Sequence, residues 1–297
     1  MKNIKRLSFV LALLMITCCV LSSCGSNYKA LKIDPDYVSK RAESTTQTIN
    51  GIDGVKVSVP KSVESVVCFS REAATVIREL GLANKIKAGD NMTGQVIVGI
   101  NETTVDKISS LSPDVVFITE DYDTSALDSA NITYLTIPEQ MTVNDVKSMI
   151  KMIEKIFGIT AESLSVKIDN EMTLAQQTTS SFTKKYSAFI DMGGFKTSGK
   201  GTYVNEILSA AGCENIFADE EGFITASKED IIKANPSVIF TTDKKIYTRD
   251  EAFADVDAVA NNRVYVLQER QIAYGSQYIA EALSTMFDSI NSLSTEK

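Results

Sequence analysis

The chain has 297 residues, of which 44% are hydrophobic, and its 30 basic and 38 acidic residues give a net charge of −8. This length suits two lobes better than one core, and the apolar content is typical of a globular protein. The sequence contains no His and no Trp. The absence of His excludes a Ser-His-Asp triad, a His-rich zinc site and His ligation of haem, and the acidic charge argues against nucleic acid as a partner.

The N-terminal segment has the pattern of an export signal. Lys2, Lys5 and Arg6 precede an apolar run that is too short to span a membrane comfortably. The run ends in Leu-Ser-Ser-Cys-Gly, which resembles the lipobox of a bacterial lipoprotein. We therefore predict a lipoprotein signal peptide over residues 1–23 and acylation of Cys24, which would anchor the protein stably to a membrane. Cleavage would leave 27 basic against 38 acidic residues, a net charge of −11.

A polar segment follows the predicted signal peptide. Residues 24–53 are rich in Ser, Thr, Asn and Lys and show little periodicity, so we predict a flexible tether after the acylated cysteine. Ordered structure is predicted to begin near Gly54, where Val55, Val57 and Val59 alternate with polar residues in the manner of a strand.

Strands and helices then alternate over residues 54–159, which we interpret as an N-terminal α/β lobe. Short apolar runs predict buried strands at 63–69, 115–118 and 133–137, and helical spacing predicts helices over 73–80 and from Thr142 to residue 157. Thr142 and Asp145 form the pattern of a capping box, and Gly81 and Gly158 suit the ends of the two helices.

Residues 160–183 differ from the rest because they contain no Gly or Pro and only scattered apolar positions. A long, mostly polar helix is typical of a bridge between domains, so we predict a bridging helix here. The alternation of strands and helices resumes over 184–297, the predicted C-terminal lobe. Its predicted elements cover residues 187–192, 204–211, 231–234, 238–241, 264–267 and 279–290.

The two halves resemble each other. The string KISSLSPDVVFITED (107–121) aligns without a gap with DIIKANPSVIFTTDK (230–244), so that Pro113 matches Pro236. The fold class predicted is α/β, with two Rossmann-like lobes joined by one long backbone helix. Cys68 and Cys213, one in each half, are predicted to be buried free thiols.

Four strings are similar to those of the substrate-binding proteins that serve iron–siderophore, haem and cobalamin ABC importers. They are GVKVSVPKSVESVVCFS (54–70), ATVIRELGLANKIKAGD (74–90), ISSLSPDVVFI (108–118) and YVNEILSAAGCENIF (203–217). Their order and spacing resemble this family over residues 54–290. The resemblance implies two lobes joined by a rigid helix, as in class III of the periplasmic binding proteins. It also implies a ligand in the cleft between the lobes, a modest hinge motion and no enzymatic activity.

The resemblance also implies that one Glu on each lobe docks to the permease. The matching positions hold Thr75 and Ser209, not Glu. Glu72, Glu79 and Glu206 lie within about a turn of those positions, so they are the candidate docking residues.

Ligands of open α/β sheets bind beyond the carboxyl ends of the strands, and the loops predicted there are rich in Arg and Tyr. The candidate ligand-binding residues are Arg71, Met92, Tyr122, Phe195, Lys200, Tyr247, Arg249, Arg270 and Tyr274. Arg can grip carboxylate, catecholate or hydroxamate oxygens, and Tyr adds aromatic area and a hydroxyl donor. An anionic ligand with aromatic faces is therefore predicted. None of these residues is predicted to ligate a metal directly; Met92 could ligate haem, although gap-filling is the commoner role of Met.

One motif points to a different chemistry. Residues 194–200 match most of a phosphate-binding Walker A loop, but Gly201 stands where Ser or Thr would bind Mg²⁺. An exported protein also meets little ATP. A flexible glycine-rich loop at the cleft is the better interpretation.

These patterns together predict an exported, lipid-anchored binding protein that captures a ferric siderophore or similar metal chelate and has no resident cofactor. Its partners would be the chelate, a permease with its ATPase, and the membrane through the lipid, with the protein itself a monomer. It would lie at the outer face of the cytoplasmic membrane, or in the periplasm if an outer membrane is present. A cobamide or haem ligand, and a sensor or adhesin role, remain alternatives.

Overall fold

The computed structural model describes residues 45–89, 95–160 and 163–295. The described chain begins with a hairpin in which β1 (Thr46–Asn50) pairs antiparallel with β2 (Lys56–Pro60). The alternating valines do form a strand, as predicted. The start near Gly54 was wrong, because β1 lies inside the range predicted as a tether. Ile49 is the single aliphatic residue of β1, so the sequence pattern is weak, and the strand forms through its backbone pairing with β2 and the burial of that side chain.

The N-terminal lobe is built on a five-stranded parallel sheet with the strand order β5-β4-β3-β6-β7. Its strands are β3 (Val66–Cys68), β4 (Ile86–Gly89), β5 (Gln95–Val96), β6 (Val115–Thr119) and β7 (Tyr134–Ile137). Parallel strands covered on both faces are continuous apolar runs, which is why the runs at 63–69, 115–118 and 133–137 were visible in the sequence.

Four helices flank this sheet. They are α1 (Arg71–Glu79), α2 (Glu102–Ser110), α3 (Ser125–Ser129) and α4 (Val143–Ile156), with a 3₁₀ turn at Ala83–Lys85. The capping box of α4 is confirmed, because the Thr142 hydroxyl accepts from the Asp145 backbone N–H while the Asp145 carboxylate accepts from that of Thr142. The helix ends at Ile156, and Gly158 follows its C-cap residue Phe157 with a φ of 66°, which suits glycine.

The bridge between the lobes is α5 (Leu164–Thr179), within the predicted range 160–183. Ile168 and Ala175 face the protein, while the rest of its surface is largely polar. Its start is fixed by Glu154 of α4, a buried carboxylate that accepts hydrogen bonds of 2.8 Å from the Leu164 backbone N–H and the Ser163 hydroxyl. The bridge is thereby attached to the last helix of the N-terminal lobe.

The C-terminal lobe contains a four-stranded parallel sheet with the order β10-β8-β12-β13 and a small antiparallel pair, β9 and β11. The strands are β8 (Tyr186–Asp191), β9 (Lys196–Ser198), β10 (Cys213–Asn215), β11 (Phe223–Thr225), β12 (Val238–Thr241) and β13 (Val264–Val266).

The helices of this lobe are short, apart from the last. They are α6 (Tyr203–Ala210), α7 (Lys228–Ala234), α8 (Lys245–Thr248), α9 (Asp257–Ala260), α10 (Glu269–Ile272) and α11 (Ile279–Thr295), with a 3₁₀ turn at Glu251–Phe253. The last of them, α11, packs against the bridging helix α5. Within the described ranges, no helix combines the length and the apolarity that a membrane span requires.

The internal repeat is visible in the backbone. In each lobe a helix ends, one residue turns left-handed, and a proline leads into a central strand: Ser112 (φ 47°) before β6 and Asn235 (φ 46°) before β12. The residue after each proline then makes an equivalent hydrogen bond, from Asp114 N–H to Ser65 O and from Ser237 N–H to Ser187 O. The prediction of two similar lobes is therefore confirmed.

The two cysteines of the lobes are free and buried, as predicted. Burial raises the pKa of the Cys68 and Cys213 thiols to about 12. Because the thiolate is the reactive form, both side chains act as small apolar residues of the core.

The cleft between the lobes

A cavity of ≈ 430 Å³ lies between the two lobes. The N-terminal lobe contributes the ends of β6 and β7 with the residues that follow them, Thr119–Asp121 in one case and Ile137–Gln140 in the other. The C-terminal lobe contributes residues next to β8, in β9 and in β11, together with the loop 273–275. The cavity therefore opens at the carboxyl ends of the parallel strands, where ligands of such sheets bind.

Carboxylates dominate the polar lining. Glu72, Glu120, Asp121 and Glu139 all come from the N-terminal lobe. Among the described residues that line the cavity, the one basic side chain is Lys196, on the opposite wall. Its ammonium lies 5.7 Å from the centre of the Phe223 ring.

A turn held by Asp191 supports the C-terminal wall. Asp191 is fully buried at the end of β8, and its Oδ1 accepts hydrogen bonds of 2.9 Å from the backbone N–H groups of Gly193 and Phe195. Its Oδ2 accepts from the hydroxyls of Tyr247 at 2.8 Å and Thr241 at 3.3 Å. Burial, and then the charge of Asp191, raise the pKa of Tyr247. The Walker-like segment thus begins in a tight, hydrogen-bonded turn rather than the flexible loop predicted from its glycines.

The lobes touch beside the cavity through α1 and the loop after α10. The Thr75 hydroxyl lies 3.4 Å from the Tyr274 Oη, and the Arg71 guanidinium lies 5.6 Å from the centre of the Tyr274 ring. One helical turn further along α1, the Tyr278 hydroxyl donates to Glu79 at 2.9 Å. Burial, and then this hydrogen bond, raise the pKa of Tyr278.

A second connection joins α4 to α6. The Glu206 carboxylate accepts a hydrogen bond of 3.2 Å from the Val143 backbone N–H, and the Tyr203 backbone N–H donates to Met141 O. Burial raises the pKa of the Glu206 carboxyl. Tyr203 is among the residues that line the cavity, and its hydroxyl donates to Ile272 O at 3.0 Å.

The structure places few of the predicted ligand-binding residues at the cavity. Tyr274 lines it and Arg71 packs against Tyr274, whereas Met92, and Cys24 with its predicted acylation, lie outside the described residues. Tyr122 packs on Phe69, with ring centres 5.2 Å apart, and Arg249 is exposed after α8.

The remaining four are engaged within the C-terminal lobe. Phe195 and Tyr247 pack on each other and on Phe253 in its core. Lys200 pairs with Glu221 at 3.1 Å. Arg270 pairs with Glu281 at 3.2 Å and lies 4.6 Å from the centre of the Tyr278 ring. These contacts give each side chain a structural role without a ligand.

The candidate docking residues also have partners inside the chain. Glu72 accepts a hydrogen bond of 2.9 Å from the Ser70 hydroxyl and faces the cavity, while Glu79 and Glu206 make the contacts between the lobes described above. Their role in docking stays a prediction.

Sequence reasoning missed the carboxylates of the lining. Glu120 and Asp121 directly follow a strand that was correctly predicted, and Glu139 follows another. Their position at strand ends was the available signal.

Gly275 lines the cavity and lies in close contact with the opposite lobe. A Cβ atom there would lie 2.6 Å from Gln140 Cβ and 2.9 Å from Val146 Cγ2, both on the opposite lobe. We expect Gly275→Ala to lower the free energy of unfolding by about 1–3 kcal/mol and to widen the cleft, because these neighbours must shift. Chemical denaturation and small-angle X-ray scattering would measure the two effects. An unchanged midpoint and an unchanged radius of gyration would contradict this account.

Known proteins share this architecture. A curated relative, the uncharacterized ABC transporter substrate-binding lipoprotein YvrC of Bacillus subtilis (strain 168), is 25% identical over 313 residues, covering 96% of this chain and 98% of its own. The molybdate-bound periplasmic binding protein MolA of Haemophilus influenzae superposes with a TM-score of 0.71 at 17% identity, over 84% of this chain and 92% of its own.

A protein of an ABC-type Fe³⁺-hydroxamate transport system of Saccharomonospora viridis superposes with a TM-score of 0.61 at 16% identity, over 82% of this chain and 98% of its own. At these identities the two structures establish the fold, two α/β lobes with parallel sheets. The family model described as "Periplasmic binding protein" matches residues 51–271, which is more than half of the chain. The resemblance seen in the sequence is thereby confirmed, and the chain belongs to the periplasmic binding protein family.

Proposed function

We propose that the chain is the extracytoplasmic substrate-binding protein of an ABC importer and that it captures a ferric siderophore or a similar metal chelate between its lobes. The observation that carries the proposal is the cavity of ≈ 430 Å³ at the strand ends of both lobes. This volume falls within the range of about 300–1,000 Å³ that small-molecule sites occupy. Relatives described as an ABC transporter lipoprotein and as part of an Fe³⁺-hydroxamate transport system support the assignment.

The action proposed is capture without chemistry. The ligand enters the cleft, contacts both walls and favours the arrangement in which the lobes touch through Tyr274 and Tyr278. The bridging helix α5 holds the lobes together, so the liganded form presents a defined pair of surfaces to the permease. ATP is hydrolysed by the transporter's own ATPase, and a lipid on Cys24 keeps the protein beside its permease.

Thermal unfolding of the purified protein tests this function. The panel would contain ferric siderophores of the catecholate, hydroxamate and carboxylate types, haemin, cobalamin and the iron-free siderophores. A ligand at 100 times its Kd adds about 2.7 kcal/mol, and we expect one ferric chelate to raise the midpoint by about 5–10 °C. The iron-free form should shift it less. A shift with haemin or cobalamin alone would replace the proposed ligand, and no shift with any member would contradict the proposed function.

A further inference from the structure

The charge of the cavity points to the class of ligand. We propose that the cleft selects a ligand that carries net positive charge and presents hydrogen-bond donors to the N-terminal wall. The inference rests on the proposed function, because it assumes that the cleft is a binding site. It reverses the charge predicted from the Arg and Tyr residues of the loops.

The N-terminal wall consists of acceptors. Glu120 and Asp121 follow β6, Glu139 follows β7, and Glu72 stands at the start of α1. Asp121 accepts from the Thr119 hydroxyl and Glu72 from the Ser70 hydroxyl, contacts that orient the carboxylates without neutralising them. Four carboxylates in one concave wall attract cations and repel anions.

An independent observation is the side chain of Gln140, which also lines the cavity. Gln140 is 4% exposed, and its Nε2 donates to Pro138 O at 2.5 Å. Its Oε1 is buried and has no hydrogen-bond partner among the described residues. A buried acceptor without a donor is unfavourable, so a ligand that supplied an N–H or O–H group to the Gln140 side chain would relieve this cost.

The basic groups near the cleft are fewer than its carboxylates, because the described lining residues include four acidic side chains and one basic side chain. Lys196 packs over the Phe223 ring on the far side, and Arg71 packs over the Tyr274 ring. Arg270 is paired with Glu281 outside the lining. Among the described residues, no Arg lines this cavity, so the predicted binding of an anion by Arg side chains does not occur here.

The carboxylates are also too dispersed for a bare metal ion. Over the described ranges, no three acidic, thiol or imidazole groups lie close enough together to hold one. A cation with several donors spread over its surface fits the wall better than a naked ion does. For the proposed function, this means a metal complex whose periphery is cationic.

Two inert complexes of equal shape provide the first test. Hexaamminecobalt(III) is an octahedral cation covered with N–H donors, and hexacyanocobaltate(III) is an octahedral anion with acceptors alone. In calorimetry at an ionic strength of about 0.15 M, where exposed charges more than about 8 Å apart are largely screened, we expect the unaltered protein to bind the cation and not the anion. The combined variant Glu72→Gln, Glu120→Gln, Asp121→Asn and Glu139→Gln should bind the cation at least about tenfold more weakly.

A matched control removes the same charge elsewhere. Glu214→Gln, Glu229→Gln, Glu251→Gln and Asp255→Asn change four exposed carboxylates outside the cavity. This control should bind the cation within about twofold of the unaltered protein, since distant charges are screened. Equal losses in the two combined variants, or tighter binding of the anion, would overturn the inference. Glu139→Gln alone, at an exposed position, repeats the test with less risk to folding.

A ferric series separates this inference from the proposed function. Ferrioxamine B carries a free ammonium group, its N-acetyl derivative is neutral, and its N-succinyl derivative is anionic, while the iron site is the same in all three. We expect affinity to fall in that order, by at least about threefold per step. Binding that ignores or reverses the order would overturn the charge inference and leave chelate capture intact. Failure of every ferric chelate, with the cobalt cation still bound in the cleft, would refute the proposed function and support the charge inference.

Discussion

Replacement of Asp191 by Ala should lower the free energy of unfolding by about 3–5 kcal/mol, because it removes the shared acceptor of four donors, two of which belong to fully buried side chains. Two of those donors are the backbone N–H groups of the turn 193–195, and two are the hydroxyls of Thr241 and Tyr247. No other acceptor is created by the truncation, so the hydroxyls of Thr241 and Tyr247, both fully buried, lose their bonds where water does not replace them. Such a loss is a large part of the 5–15 kcal/mol that stabilises a typical protein.

Urea denaturation of the variant and of Asp219→Ala, a change at an exposed carboxylate, would measure the effect. Tyr247→Phe should fall between the two, at about 1.5–3 kcal/mol, because it removes one hydrogen bond to a charged group. The turn after β8 leads into β9, whose first residue, Lys196, lines the cleft. We therefore also expect ligand affinity to fall in Asp191→Ala. A loss of stability no greater than that of Asp219→Ala would contradict the role given to this carboxylate.

Gly199→Ala is expected to cost about 3 kcal/mol or more, for a steric reason. A Cβ atom at this position would lie 2.0 Å from Glu220 O and 2.7 Å from Phe217 O. Both are backbone atoms, so no rotation of a side chain can relieve the overlap. The backbone N–H of Gly199 also donates to Gly222 O at 2.8 Å, and its carbonyl accepts from the Thr202 hydroxyl at 2.8 Å, which holds the strand in place.

Gly194→Ala is the matched comparison within the same segment. A Cβ atom at Gly194 would meet no atom within 4 Å, but the residue has a φ of 62°. Its substitution should cost about 1 kcal/mol through backbone strain alone. Melting curves of the two variants would separate close packing from backbone conformation. Equal losses would show that the clash at Gly199 is relieved by movement of residues 217–220.

The glycines of this segment explain why its sequence resembles a phosphate-binding loop. In a Walker A loop, glycines let backbone N–H groups surround a phosphate. In this chain Gly193 and Gly194 form a turn around the Asp191 carboxylate, and Gly199 allows a second segment to pack against its backbone. The glycine-rich composition therefore lets backbone N–H groups bind a carboxylate of the protein itself, that of Asp191, instead of a phosphate.

The sequence by itself determined the two-lobe fold, because its signals are local. A strand buried on both faces of a parallel sheet is a continuous apolar run, as at Val238–Thr241. A capping-box pattern marks the first turn of a helix, as at Thr142. The polar bridging helix α5 was visible for the same reason, through its composition. The strand β1 was missed because its formation depends on a partner strand and on one buried side chain, Ile49.

Only the tertiary structure decided which side chains face the cleft. Arg270, Lys200 and Tyr247 have the residue types of a binding site, but each finds a partner in its own lobe at short range. The carboxylates that do line the cavity come from three separate segments, the start of α1 and the loops after β6 and β7, and no sequence pattern joins them. Strand and helix formation follow from neighbouring residues, whereas the charge of a cleft depends on which loops two distant lobes bring together and on which of their charges are already paired.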